Sequence, residues 1–222
     1  MFMWKKIQDK LLDSYYLFKS KYDVSPYGPD TKAYWVRRRE LFYLFDNGIQ
    51  TDAEGLYSVT PEAVACQIAK TLNAESVLDA FCGIGGNAIG FARAGKKVFA
   101  VDASGERLEM ARHNASVYGV ENKIEFLHMD VFEALVKVKA EAVFLDPPWG
   151  GTRYNEIKNF GLNNFAVDGA KLLELAFQQF SKVVLRVPRQ FNLLELDKFG
   201  RKYVVQDNYI RSKLYSRTLY FT

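Results

Sequence analysis

The apolar positions along the chain change period once. Over residues 4–20 (WKKIQDKLLDSYYLFKS) and 32–46 (KAYWVRRRELFYLFD) they recur at three and four, which predicts two amphipathic helices parted by Ser25, Pro26, Gly28 and Pro29. From about residue 60, short β-branched or apolar runs (ESVLDAF, KKVFAVD, KIEFLHMD, EAVFLD, KVVLRVP) alternate with helical stretches opening near Pro61, Gly86, Gly105, Val131 and Asp168. That alternation predicts βαβ units around a mostly parallel sheet. Thr60-Pro61-Glu62 reads as a helix cap followed by proline at the first helical position. After Pro188, KYVVQDNY and KLYSRTLYF predict a closing hairpin. The expected organisation is a helical extension over 1–58 and an α/β domain over 59–222.

Composition narrows the class. With 222 residues, 49% of them hydrophobic and 25% charged, the chain suits a packed globular fold rather than a disordered or fibrous one. No apolar run reaches the roughly 18 residues that a membrane span needs. Lys5, Lys6, Asp9, Lys10, Asp13 and Lys19 interrupt the stretch where a signal peptide would be apolar. An intracellular chain is expected, in nucleus or cytoplasm, with no targeting signal and no membrane partner. Cys66, Cys82, His113 and His128 have no metal-site or disulfide spacing, so no metal is expected. The net charge of +4 hides an asymmetry: residues 182–222 hold nine Lys or Arg against Glu195, Asp197 and Asp207. Lys32 and Arg37 to Arg39 form a second basic cluster among Tyr34, Trp35 and Phe42. Basic residues interleaved with aromatics suit a phosphate-bearing, base-stacking ligand, the alternative being a solvated face.

Candidate chemistry gathers at strand ends. The first predicted strand ends in Asp79 and runs into Cys82-Gly83-Ile84-Gly85-Gly86-Asn87, where Gly83 and Gly85 allow a tight turn and close approach to a ligand at a helix N-terminus. A dinucleotide would put pyrophosphate on that turn, but Asp79 would repel it and attract a cation, so the ligand inferred is S-adenosylmethionine. The second strand ends in Asp102, suited to ribose hydroxyls, and the third in Asp130, followed by Val131, suited to the adenine amino group. In a parallel sheet these ends line one crevice. Each acid alone could be a helix cap. The fourth strand runs into Asp146-Pro147-Pro148-Trp149-Gly150-Gly151, and a double proline continues neither strand nor helix. Asp146 and the Pro147 carbonyl can accept the two protons of an exocyclic amine while Trp149 stacks on its ring, indole being the strongest partner for a cationic ring.

The segments 79–87 (DAFCGIGGN), 112–119 (RHNASVYG), 146–151 (DPPWGG) and 45–62 (FDNGIQTDAEGLYSVTPE) resemble the catalytic domain of trimethylguanosine synthases, from about Tyr34 to the C-terminus. The resemblance implies a Rossmann-like class I S-adenosylmethionine-dependent methyltransferase with a mostly parallel seven-stranded sheet. It implies methylation of guanine N2 in the 7-methylguanosine cap of RNA to the 2,7-dimethyl or 2,2,7-trimethyl form; separately, a monomeric chain is expected. It further implies that Phe42, Thr60, Asp79, Asp102 and Asp130 hold the cofactor, that Trp149 stacks on the methylated guanine, and that Asn114 and Asp146 face its edge. Tyr154, Arg189 and Lys213 match positions that contact the cap phosphates. The chain departs from the family in two places. The family often has Ser where Asp146 stands, and a phosphate-binding lysine where Ala33 stands, with Lys32 as a substitute. The competing readings are a guanine-N2 methyltransferase acting on internal guanosine of rRNA or tRNA, and a cap-binding protein without catalysis. An NAD-linked dehydrogenase is disfavoured by Asp79.

Overall fold

The computed structural model describes Leu11, Leu12, Ser14, Tyr15 and residues 24–221. Those four early residues are helical; the rest of the helix expected over 4–20 lies outside the described residues. The strands are β1 (Ser76–Asp79), β2 (Lys97–Asp102), β3 (Ile124–His128), β4 (Ala142–Leu145), β5 (Lys182–Pro188), β6 (Tyr203–Ile210) and β7 (Lys213–Phe221). They form one sheet of order β3-β2-β1-β4-β5-β7-β6. The pairings from β3 across to β5 are parallel, and β7 runs antiparallel to both β5 and β6, so the expected hairpin closes the sheet.

The central strands are buried on both faces, as a sheet covered by helices requires, and alternate side chains serve two cores. Val77 and Phe144 join Ile68, Phe91 and Leu108 on one side. Leu78, Val143 and Leu145 join Leu135, Leu172 and Phe160 on the other. The helices Glu62–Thr71, Gly86–Arg93, Gly105–Val117, Val131–Lys137 and Gly169–Gln179 begin within two residues of the positions the sequence marks.

Two local expectations differ. Pro61, not Thr60, stands at the cap position of the helix Glu62–Thr71, and no side chain caps it. The run 32–46 is not one helix but Lys32–Val36, Arg38–Leu41 and a 3-10 turn at Phe45–Asn47. Breaks at Arg37 and at the extended Phe42 let Trp35 meet Phe45 edge-on at 5.7 Å, while Arg38 and Arg39 both pair with Asp46. The segment expected as an extension contributes Leu41, Phe42, Phe45, Ile49 and Leu56 to the first core. No helix among the described residues is long and apolar enough to cross a membrane.

Candidate active site

The sheet order reverses between β1 and β4, and the carboxyl ends of these strands open into a cavity of about 430 Å³. This is where open α/β sheets place ligands. The glycine turn after β1 forms its floor. Gly83 has a φ of 52° and donates its N–H to Asp102 Oδ2 at 2.8 Å, with open space where a side chain would stand. Gly85, at φ 94°, does not line the cavity; a Cβ there would come within 3.2 Å of the Ala111 backbone, so it lets the helix Gly105–Val117 pack closely.

Asp102 Oδ1 accepts a second backbone bond, from Ser104 N–H at 2.9 Å, so both carboxylate oxygens are fixed yet keep lone pairs toward the cavity. Asp130 caps its helix through Phe132 N–H at 2.8 Å and also lines the cavity, beside Val131. Capping and ligand-facing positions therefore coincide in this residue. Asp79 is fully buried and stands behind the cavity surface. Neither of its oxygens has a full hydrogen-bond partner in the structure, although the N–H groups of Phe81 and Ala88 favour its charge weakly. Burial, then the nearby charges of Asp146 and Asp102, holds the Asp79 carboxyl well above the usual carboxylate range.

The opposite end of the cavity is organised around Asp146. Its Oδ2 accepts from Thr60 Oγ1 at 3.1 Å, from Asn87 Nδ2 at 3.4 Å and from Arg186 Nη1 at 2.7 Å. All three bonds reach one oxygen, which leaves Oδ1 for a ligand. Thr60 also accepts from Asn87 at 3.0 Å. Trp149 lines the same end, with the Tyr154 ring edge-on at 5.0 Å and the Arg186 guanidinium 4.6 Å from its ring centroid. Burial, with the Tyr215 and Tyr34 hydroxyls nearby, pushes the Tyr154 hydroxyl up to about 12, so it is a neutral donor at working pH.

Tyr57, Tyr154 and Tyr215 also border a second cavity of about 530 Å³, so the two spaces adjoin. Arg37, Arg189, Arg211 and Lys213 supply its positive side chains, opposed by Glu40, which pairs with Arg211 at 2.5 Å.

Of the residues expected from sequence, Thr60, Gly83, Asp102, Asp130, Val131, Asp146, Pro147, Trp149 and Tyr154 meet at the first cavity, and Arg189 and Lys213 at the second. Five others do not line either cavity: Asp79 lies behind the first, Gly85 packs against Ala111, and three more sit elsewhere. Phe42 is 2% exposed, packed in the core against Tyr118 at 6.2 Å. Asn114 is fully buried and spent on the backbone: its amide bonds Gln50 N–H, Gln50 C=O and Ile84 C=O, tying the glycine turn to the N-terminal segment. Lys32 borders neither cavity; Arg37, one helical turn beyond Ala33, does. Asn87, Arg186 and Tyr215 are among the lining residues that the sequence does not assign to the site. Arg186 carried a signal, because an arginine inside an apolar central strand needs a buried partner.

Sheet order, acid-edged cavity and glycine turn together define a Rossmann-like methyltransferase. The S-adenosylmethionine-dependent O-methyltransferase of Thermotoga maritima superposes with a TM-score of 0.54 over 82% of this chain and 70% of its own, at 14% identity. The chain belongs to the RNA cap guanine-N2 methyltransferase family, whose model matches residues 74–220. The trimethylguanosine synthase of Schizosaccharomyces pombe is 35% identical over 202 residues, covering 85% of this chain and 83% of the relative. That of Saccharomyces cerevisiae is 36% identical over 183 residues, and the match spans 76% of this chain and 58% of the relative's length.

Proposed function

We propose that this protein transfers a methyl group from S-adenosylmethionine to the exocyclic N2 of a 7-methylguanosine RNA cap. The observation that carries this reading is a pair of adjoining cavities, sharing Tyr57, Tyr154 and Tyr215, with three chemistries in sequence. Asp102 and Asp130 stand at one end, Asp146 and Trp149 at the other, and the basic second cavity lies beyond them.

The residues present fit the cofactor. The buried, poorly partnered Asp79 carboxyl suits a cationic ligand placed near it, Asp102 suits ribose hydroxyls, and Asp130 suits an amino group. Bound there, S-adenosylmethionine would supply an electrophilic methyl group carried on a positive sulfur. Asp146 Oδ1 and the Pro147 carbonyl accept the amino protons of guanine and so orient the N2 lone pair. As the amine gains positive charge, Asp146 stabilises it, while Thr60, Asn87 and Arg186 keep that carboxylate from turning away. Trp149 holds the ring in plane, and most of the rate enhancement comes from this alignment. Arg189 and Lys213 give the cap phosphates their counter-charges.

Trp149→Ala tests the stacking role. Turnover of 7-methyl-GDP is expected to fall by about 100-fold, since alignment is lost, with cofactor affinity by calorimetry nearly unchanged. Retained turnover would remove Trp149 from the mechanism.

A further inference from the structure

Arg186 is the largest of the fully buried side chains, at 1% exposure, and it touches both groups that the proposed function gives to the guanine. The strand register explains how. Leu145 of β4 faces Leu185 of β5, so the next residues along, Asp146 just past the end of β4 and Arg186 still within β5, stand side by side. The guanidinium donates from Nη1 to Asp146 Oδ2 at 2.7 Å, and its central carbon stands over the Trp149 ring, 4.6 Å from the centroid. Nε reaches Ser216 Oγ at 3.3 Å, and Ser216 is itself held by Asn208 Nδ2 at 3.1 Å, an amide that also donates to Thr218. A chain of buried polar contacts thus runs from the closing hairpin through one planar cation to the carboxylate and the indole.

We propose that Arg186 is a positioning residue: it sets Asp146 and Trp149 at a fixed separation and angle, so that the acceptor for the guanine amino group and the platform for its ring act as one unit. This rests on the cap-methylation reading. A guanidinium can do it because its edge and its face bind different partners at once, whereas an ammonium is a point charge with no face to lay on a ring. Asp146 in turn neutralises a cation that could not otherwise remain buried.

The test compares wild type with Arg186→Lys, Arg186→Met, Asp146→Asn and the double Asp146→Asn/Arg186→Met. Each is measured for turnover of 7-methyl-GDP, S-adenosylmethionine affinity by calorimetry, and melting temperature. Arg186→Lys is expected to restore melting temperature relative to Arg186→Met but to stay about tenfold or more below wild type in kcat, because the charge returns and the alignment does not. Cofactor affinity should stay within about twofold of wild type, since Arg186 stands at the substrate end of the cavity. The double variant should be no slower than the slower single, the signature of two residues acting as a unit. Should Arg186→Lys fail to fold, the double variant carries the test, because it buries no unpaired charge.

Lysine restoring full turnover, losses that multiply in the double variant, or cofactor affinity falling in step with rate would each overturn the positioning role while leaving the functional reading in place. A wild-type protein that methylates no guanine would take the functional reading down and this inference with it.

Discussion

Asp79 sits fully buried at the end of β1 with two negative neighbours, so its charged form is costly in the free protein. Because its folded pKa lies above the ordinary value of about 3.9, the native state binds more protons than the unfolded one between those two values. Asp79 therefore makes the free protein less stable as pH rises through that window, the reverse of a salt-bridged carboxylate. A cationic ligand nearby favours the ionised form, so cofactor affinity is expected to rise with pH over the same range. Asp79→Asn should abolish that rise, weaken cofactor binding, and leave the free protein at least as stable at pH 7. Calorimetric titrations from acid to neutral pH check this, and a flat wild-type affinity would contradict it. At this scale the sequence is readable in placement at strand ends: Asp102, Asp130 and Asp146 all reach the first cavity. It was not readable where a residue works through a partner distant in the chain. Thr60, expected as a helix cap and, from the resemblance, as a cofactor contact, lines the cavity and bonds Asp146, whereas Asn114, expected at the guanine edge, is used up on backbone groups. Arg186 required the β4–β5 register before its partner could be named.

Glu62 opens the first helix of the α/β unit and fastens the N-terminal segment to it. Its Oε2 accepts from Tyr43 N–H and the Tyr118 hydroxyl, each at 2.6 Å, and Oε1 pairs with Arg93 at 2.5 Å. Burial alone would raise its pKa, but these donors outweigh burial and hold it below the usual value. Its stabilisation is therefore complete above the unfolded pKa of about 4.3 and is lost as pH falls through the lower folded value. Glu62→Gln should cost about 1–3 kcal/mol at pH 7, as expected for hydrogen bonds to a charged group, with the difference shrinking toward pH 3. Denaturant unfolding at the two pH values checks it; equal costs would contradict the assignment. The helices of the α/β unit were legible because caps and glycines mark their starts. The broken 32–46 run was not, because its helical periodicity yields to packing: Phe42 leaves the helix to enter the core, a tertiary choice that local spacing does not encode.

Across the whole molecule, the closing hairpin and the N-terminal segment meet at the second cavity, bringing Arg37 together with Arg189, Arg211 and Lys213 from the far end of the chain. The net charge understated this, and the basic runs overstated it, since Arg38 and Arg39 are paired with Asp46 outside it. If cap phosphates bind there, the KM of a 7-methylguanosine-capped oligonucleotide should rise with salt. Arg189→Ala and Lys213→Ala should each raise KM and reduce the logarithmic salt slope by roughly 0.7, the value for one phosphate contact on a single strand. Unchanged slopes would place the phosphates elsewhere. Cap methylation itself is tested by incubating the purified protein and S-adenosylmethionine with 7-methyl-GDP and, separately, with GDP, and weighing the products by mass spectrometry. A gain of one or two methyl groups is expected on 7-methyl-GDP and little or none on GDP, whose neutral ring lacks the attraction to Trp149. Equal gain on both would contradict the role of the ring charge, and no gain on either would contradict cap methylation.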